Sequence, residues 1–544
     1  MRLVSAVVAL ALALGGIPAA AGVASAADTL PTRLALAIPL TVPPESAGLI
    51  SAEDLETYTS PTGLLTRKLD AIAGQQVAIG IDPMIIASIR ILGNTAPESA
   101  TDWLERLGEV VNETFALSYA DSDLAALSQA GSGTVLAPTS FPIDPTRYPA
   151  LPEEDGETAP PGQTTPPVEP VVPTFETITD WPYTIENVLW PRRNTVTAAD
   201  LASFNATTPA TTILGSGNVT ATPGASAAVG ESAVLVSDEI VSGLLTEAVE
   251  ALTPVDWQAA IDRLAAELER KPGNTTILAT FDRTPKEAVG RLAETVAAAT
   301  QLAGIQPTGL AATAAEPPVG ARVADTPVDA DRLSRVRLML AAEARIVPFS
   351  TVMADPTPLT GERRLSLLAL SSNSWADPTT VWIATVDKWL EQSNAILSSV
   401  QIAESSTLTF FQDKGNLPIA VSNQLDYPVT VYVTVRSATG ILVVVNSRVP
   451  VEIEAGSQAR ASIPVQSIAN GQASLQVSLS SGANIPIGSP KTITANVAAG
   501  WETTATWVIA ALLVLLFIAG IVRTVLKRRK ARSGEADADQ GQGE

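Results

Sequence analysis

Four aspartates stand where a β-rich run gives way to a helical pattern. Asp82 follows VAIGI, Asp123 lies just beyond TFALSY, Asp238 follows AVLVS and Asp282 follows TILATF. Asp121 lies two residues before Asp123. Carboxylates at the carboxyl ends of strands are where β/α barrels collect their catalytic groups. Two of them suffice for glycoside hydrolysis, one as general acid and one as nucleophile or base, and no histidine is needed. Trp190 could stack on a sugar ring, and Arg192, Arg193 and Arg283 could orient an anionic group.

Each aspartate also has a local role open to it. Asp82 precedes Pro83 and a helical pattern, the arrangement of an N-cap followed by proline at the first helical position. Asp123 and Asp238 also open helical patterns, and Asp282 stands three residues before Pro285. Capping is what each residue predicts singly, and catalysis would require a pair across one cleft.

Composition narrows the chemistry further. The chain has 544 residues, no histidine and no cysteine. Ser-His-Asp and Cys-His catalysis are therefore excluded, as are disulfides and zinc held by histidine or thiolate. With 34 Lys+Arg against 56 Asp+Glu, the formal net charge is −22, which argues against nucleic acid as a partner. No phosphate-cradling glycine loop or calcium-loop pattern occurs, so neither a cofactor nor a metal is expected.

The elements that must position these residues alternate between strand and helix. Strands are predicted at Leu34–Leu40, Val77–Ile81, Thr114–Tyr119, Asn187–Trp190, Thr211–Gly215, Ala233–Ser237 and Thr276–Phe281. Several are apolar throughout, as in a parallel sheet covered on both faces. Helical spacing falls between them, most clearly over Val255–Arg270 and Pro285–Ala303. The expectation for residues 27–330 is an α/β region forming a seven-stranded β/α barrel, closed or open, with a doubly wound sheet as the alternative. Residues 142–182 are proline-rich and acidic and predict a disordered insertion.

Residues 331–404 predict a helical segment with helices at Asp331–Ile346, Glu362–Ser371 and Thr379–Ile402, the last capped by Asp377 with Pro378 in its first turn. From 405 to 500 the apolar period becomes two. About seven short strands, among them Val429–Arg436, fit an all-β, immunoglobulin-like sandwich.

The two ends set an expected topology. Residues 1–26 have a basic start, an apolar middle and Ala24-Ser25-Ala26, and read as a secretory signal peptide. Residues 505–522 are uncharged and long enough, at ~1.5 Å per residue, to cross a hydrocarbon core. Arg523, Lys527, Arg528, Arg529, Lys530 and Arg532 follow, which places the tail, 523–544, in the cytoplasm and the N-terminal region outside. The cytoplasmic membrane is thus one expected partner.

The segments LPIAVSNQLDYPVTVYVTVRS, SIPVQSIANGQASLQVSL and GWETTATWVIAALLVLLFIAGIVRTVLKRRK resemble an uncharacterised family of actinobacterial membrane proteins. VAIGIDPMIIASI, ATDWLERL, LSYADSDLAAL and VLWP resemble its outer region. The resemblance implies a secreted, single-pass cell-envelope protein, encoded beside a lipid II flippase gene. Its implied partners are a cell-wall glycan, the flippase or another envelope protein. The outer region also looks distantly like polysaccharide deacetylases, with Asp82 in the position of their first metal-binding aspartate. The histidines those enzymes need are missing here. The combined expectation is a non-catalytic glycan- or protein-binding factor in peptidoglycan or envelope assembly. The alternative is a histidine-free glycoside hydrolase using the strand-end carboxylates.

Overall fold

The computed structural model describes residues 31–43, 45–148, 171–220, 224–283, 290–375, 379–403, 408–410, 412, 414–498 and 501–533. The expected signal peptide, most of the proline-rich insertion, the Asp377-Pro378 cap and the end of the tail lie outside these residues.

All seven expected strands of the first region are present: β1 Thr32–Leu40, β2 Ala78–Ile81, β3 Thr114–Ala116, β4 Val188–Leu189, β5 Thr211–Gly215, β6 Ser232–Ser237 and β7 Thr276–Thr280. They pair in parallel along the path β4-β5-β6-β7-β1-β2-β3. Alternating residues of this sheet serve two cores. Ala35, Ala37, Ala78, Phe115, Val188, Ile213, Leu235 and Leu278, drawn from all seven strands, gather in one apolar cluster inside the curl. Leu34, Leu36, Ile79, Ile81, Leu214, Val234 and Ala279 face the helices outside it. Both faces are therefore dry, which explains the unbroken apolar runs. Gly80 is required on the inner face, because a Cβ there would stand 2.9 Å from side-chain atoms of Leu117 and Phe115.

A closed seven-stranded barrel is not confirmed. Among the described residues no ladder joins β3 to β4. The β6–β7 junction is also narrow. The strand Ser226–Val229 turns back antiparallel onto β6 and takes up its edge, leaving Ser237↔Leu278 as the registered pair between β6 and β7. What forms is a mixed α/β region around a curled sheet.

The helices match the expected periodicity with shifted ends. Pro83–Leu92, Pro254–Glu269 and Leu292–Thr300 pack their apolar stripes on the outer face of the sheet. The described flanks of the proline-rich stretch are ordered, which corrects part of the disorder expected for 142–182. Phe175–Thr179 is a short helix with Ile178 fully buried, and the Arg90 guanidinium donates to the carbonyls of Thr177 (2.9 Å) and Ile178 (3.1 Å).

The helices Ala330–Phe349, Thr357–Leu370 and Thr380–Ser398 follow. The third is capped by Thr379, whose side chain accepts from the Trp382 amide at 3.2 Å. Residues 400–402, expected to continue it, form a strand instead. The first of these helices ties the two halves of the molecule together. Val336, Met339 and Ala342 join the core beneath the curled sheet, and Ile346 and Phe349 join the core of the β region.

That β region has two sheets sharing one core. One contains Lys414–Asn423 and Gln458–Ser467, the other Val429–Ser437, Gly471–Ser480 and Pro486–Val497. Val429, Val431, Val433 and Val435 are buried on one face, as period two demands. The helix Trp501–Ser533 contains one stretch, Ala505–Arg529, long and apolar enough by length and composition to cross a membrane.

Candidate functional site

The strand order β7-β1-β2-β3 places four connections at one edge of the sheet, each at the carboxyl end of its strand. Thr41 follows β1, Asp82 follows β2, Asp121 and Asp123 follow β3, and Asp282-Arg283 follow β7. These residues form one polar cluster beneath the helical segment.

Asp82 is 1% exposed. Its Oδ1 accepts from the Met84 amide at 2.9 Å, capping the helix Pro83–Leu92, and from the Ala120 amide at 2.8 Å. Burial outweighs these bonds and pushes its carboxyl up to about 8. The Ala120 bond helps to hold an unusual turn, in which Ala120 and Asp121 have φ values of 57° and 44°. Two consecutive non-glycine residues in this left-handed region cost on the order of 1–3 kcal/mol each. Asn373 secures the same turn, its Nδ2 donating to the Asp121 carbonyl at 2.9 Å.

Asp121 is also buried. Its Oδ1 pairs with the Arg283 guanidinium at 2.6 Å, while its Oδ2 has no hydrogen-bond partner among the described residues. Burial raises its carboxyl to about 6 against the pull of Arg283. Arg283 in turn donates to the Trp190 carbonyl and lies over the Trp190 ring at 4.6 Å. Trp190 is 7% exposed and packs against Phe115 within the curl, so both its faces are in use. Arg192 is half-buried nearby, its carbonyl accepting from Thr195 Oγ1 at 2.8 Å.

Asp123 caps the helix Leu124–Ala130 through the Ala126 amide at 3.0 Å. Its Oδ2 faces Arg332 Nε at 3.3 Å, and both side chains are fully buried. Arg332 also donates to the carbonyls of Ser371, Ser372 and Trp375 at 3.1, 2.9 and 2.6 Å. The segment 371–375 is thereby strapped across the cluster. Ser372 bridges to Ser122, the Asp123 amide donates to Ser371 at 2.8 Å, and Asn373 reaches Asp121. The space left among Thr41, Glu45, Asp82, Asp121 and Ser372 is about 10 Å³. That is room for roughly one water and none for a sugar ring.

Asp238 lies apart from this cluster. It caps the helix Glu239–Glu250 through the amides of Ile240 (3.1 Å) and Val241 (3.0 Å), and pairs with Lys271 at 2.6 Å. The structure thus brings Asp82, Asp121, Asp123, Asp282 and Arg283 together and leaves Asp238 out.

Sequence reasoning missed three members. Lys68 is buried beneath the cluster, and burial holds its ammonium down to about 8 despite the pull of Asp282 and Asp121. Glu45 is raised to about 7, chiefly by burial. Arg332 is the third. Lys68 and Arg332 each sit on the apolar stripe of their helix, with Leu64, Leu65 and Ile72 in one case and Val336 and Met339 in the other. A charge on a core-facing stripe was the available signal.

Fold and site together define a mixed α/β protein with a two-sheet β region and one candidate membrane-spanning helix. Asp82 and Asp123, at the ends of two of its strands, cap the helices that follow them. The chain belongs to the Family of unknown function (DUF6049), whose family model matches residues 19–539. No curated protein matches it. Among solved structures, native alpha-2-macroglobulin from E. coli is similar over 19% of this chain and 7% of that one, at 19% identity and TM-score 0.16. The C. elegans MSP family member WR4 is similar over 19% of this chain and 98% of its own, at 12% identity and TM-score 0.14. The E. coli chaperone DraB covers 19% of this chain and 55% of its own length, at 14% identity and TM-score 0.15.

Proposed function

We propose that this chain is a single-pass, membrane-anchored protein of the cell envelope that binds a glycan or protein partner outside the cytoplasm without turning it over. In this reading the curled sheet is an open seven-stranded β/α barrel. The two-sheet region is an immunoglobulin-like stalk above the membrane, and the basic residues after the span stay in the cytoplasm. The assignment to peptidoglycan or envelope assembly is what the resemblance of the sequence segments implies.

The observation that carries the non-catalytic part is the strap. Asp82 accepts two backbone amides at Oδ1, Asp123 uses one oxygen on its helix cap and the other on Arg332, and residues 371–375 cover them. A glycosidase needs two carboxyl groups about 5–10 Å apart on an open cleft with a sugar between them. The 10 Å³ space here does not admit one.

Three experiments test the reading. Protease added to intact cells should digest the region before the span and spare the basic tail, and the opposite pattern sinks the topology. Lipid II and cell-wall composition should change when the gene is deleted, and an unaltered wall removes the assembly role. Release of reducing sugar from cell-wall glycan by the purified chain, abolished by Asp82→Asn, would show that the protein is an enzyme after all.

A further inference from the structure

The seam between β3 and β4 opens onto a groove of about 500 Å³, within the ~300–1,000 Å³ typical of ligand sites. Leu117, Val135, Leu136, Phe175 and Tyr183 are among the residues of its wall. Its main-chain edges are unfinished. The Ile79 amide donates to Glu113 and the Leu117 amide to Ile81, so by the alternation of a parallel ladder Ala116 turns its N–H and C=O away from β2, toward the seam. The Thr211 amide donates to Asn187, so Val188 likewise turns away from β5. Thr114 finds Thr184 and Ile185 across the seam. Among the described residues, Ala116 and Val188 find no such partner.

One further feature restricts the occupant. Among the described residues Glu186 is the one charged side chain lining the groove, in a chain of net charge −22. An anionic ligand is therefore disfavoured and a cationic flank favoured. A glycan would bring hydroxyls to an apolar wall that cannot satisfy them.

We propose that this groove takes an extended, apolar segment of a partner protein flanked by a basic residue. The main chain of that segment bonds to one free edge, at Ala116 or at Val188, and its basic residue faces Glu186. Extended peptides recognise sheet edges in this way, with main-chain bonds giving affinity and side-chain pockets giving selectivity. The proposal rests on the binding reading above and chooses protein over glycan at this site.

The test uses the full chain in lipid nanodiscs and fluorescence anisotropy. The probes are a fluorescein-labelled heptapeptide of alternating valine and threonine ending in lysine, and its twin ending in glutamate. The lysine peptide should bind saturably, and the glutamate twin about threefold more weakly, the scale of one exposed ion pair. Glu186→Lys, a change at an exposed residue, should reverse that order. Leu136→Asp should weaken both peptides at least ~tenfold by placing a charge on the apolar wall. Absence of saturable binding by either peptide overturns the proposal, as does an unchanged order on Glu186→Lys. Displacement by a chitin tetrasaccharide would make the groove a glycan site instead. A tenfold tighter peptide after deletion of residues 149–170 would make that segment its occupant. If both peptides fail while the same nanodiscs retain cell-wall glycan or a defined envelope protein, the binding reading stands and the groove assignment alone falls.

Discussion

Replacing Asp82 by asparagine should abolish most of the loss of stability that the folded protein undergoes as the solution turns from mildly acidic to mildly basic. Burial lifts the Asp82 carboxyl from an ordinary 3.8 to about 8. Between those values the folded chain keeps a proton that the unfolded chain has released. Stability is therefore greatest at the acidic end and falls through this window. From pH ~5 to ~8 the change is ~4 kcal/mol, at ~1.4 kcal/mol per unit. Asparagine keeps an oxygen to accept from the Met84 and Ala120 amides and cannot ionise. Asp121, raised to about 6, adds a smaller loss of the same sign that is complete near that pH. Lys68, lowered to about 8, acts the other way, and its contribution rises only above that value. The assay is urea unfolding of the full chain in detergent micelles at pH about 5, 6.5 and 8, read by tryptophan fluorescence through buried Trp103 and Trp382. Wild type as stable at the highest pH as at the lowest, or an asparagine variant with the same slope, would refute the reasoning.

Arg332→Met should destabilise the fold by ~3–5 kcal/mol by leaving the fully buried Asp123 without its cation, and pairing it with Asp123→Asn should recover part of the loss in a double-mutant cycle. Trp382→Ala should cost ~3–5 kcal/mol in the same unfolding assay, because a fully buried ring is lost between Arg332 and the Leu370 carbonyl. Gly48→Ala should lower the melting temperature, since φ is +79° and a Cβ would stand 2.3 Å from the Leu365 carbonyl oxygen. Leu513→Arg should weaken membrane insertion by ~2.5–3.5 kcal/mol and release the protein on alkaline carbonate extraction, and retention in the pellet would count against the span.

Local periodicity carried much of the fold. The apolar runs read as strands at Leu34–Leu40 and Thr276–Phe281 are the buried strands Thr32–Leu40 and Thr276–Thr280. The alternation read at Val429–Arg436 is the strand Val429–Ser437, with one dry face. Asp82 with Pro83 announced a helix start, and the helix begins there. Failures came where a distant segment intervened. The hairpin strand Ser226–Val229 took the edge of β6, which no local pattern required. Trp190, exposed by type to a sugar-stacking reading, fills the curl beside Phe115 under Arg283. One departure is local: the cap of the helix Thr380–Ser398 is Thr379, whose hydroxyl accepts from the Trp382 amide.

The sequence by itself determined the excluded chemistries, the strand and helix alternation, the apolar stretch at 505–522 and the placement of aspartates at strand ends. These depend on residue type and on spacing within about ten positions, which backbone geometry converts directly into elements. Only the tertiary structure decided what the aspartates do. Arg332 lies 209 residues from Asp123, and Asn373 lies 252 residues from Asp121. Such pairs are joined by packing of the helical segment over the sheet. That packing leaves about 10 Å³ of space above Asp82 and holds Asp82, Asp121 and Asp123 buried beneath residues 371–375.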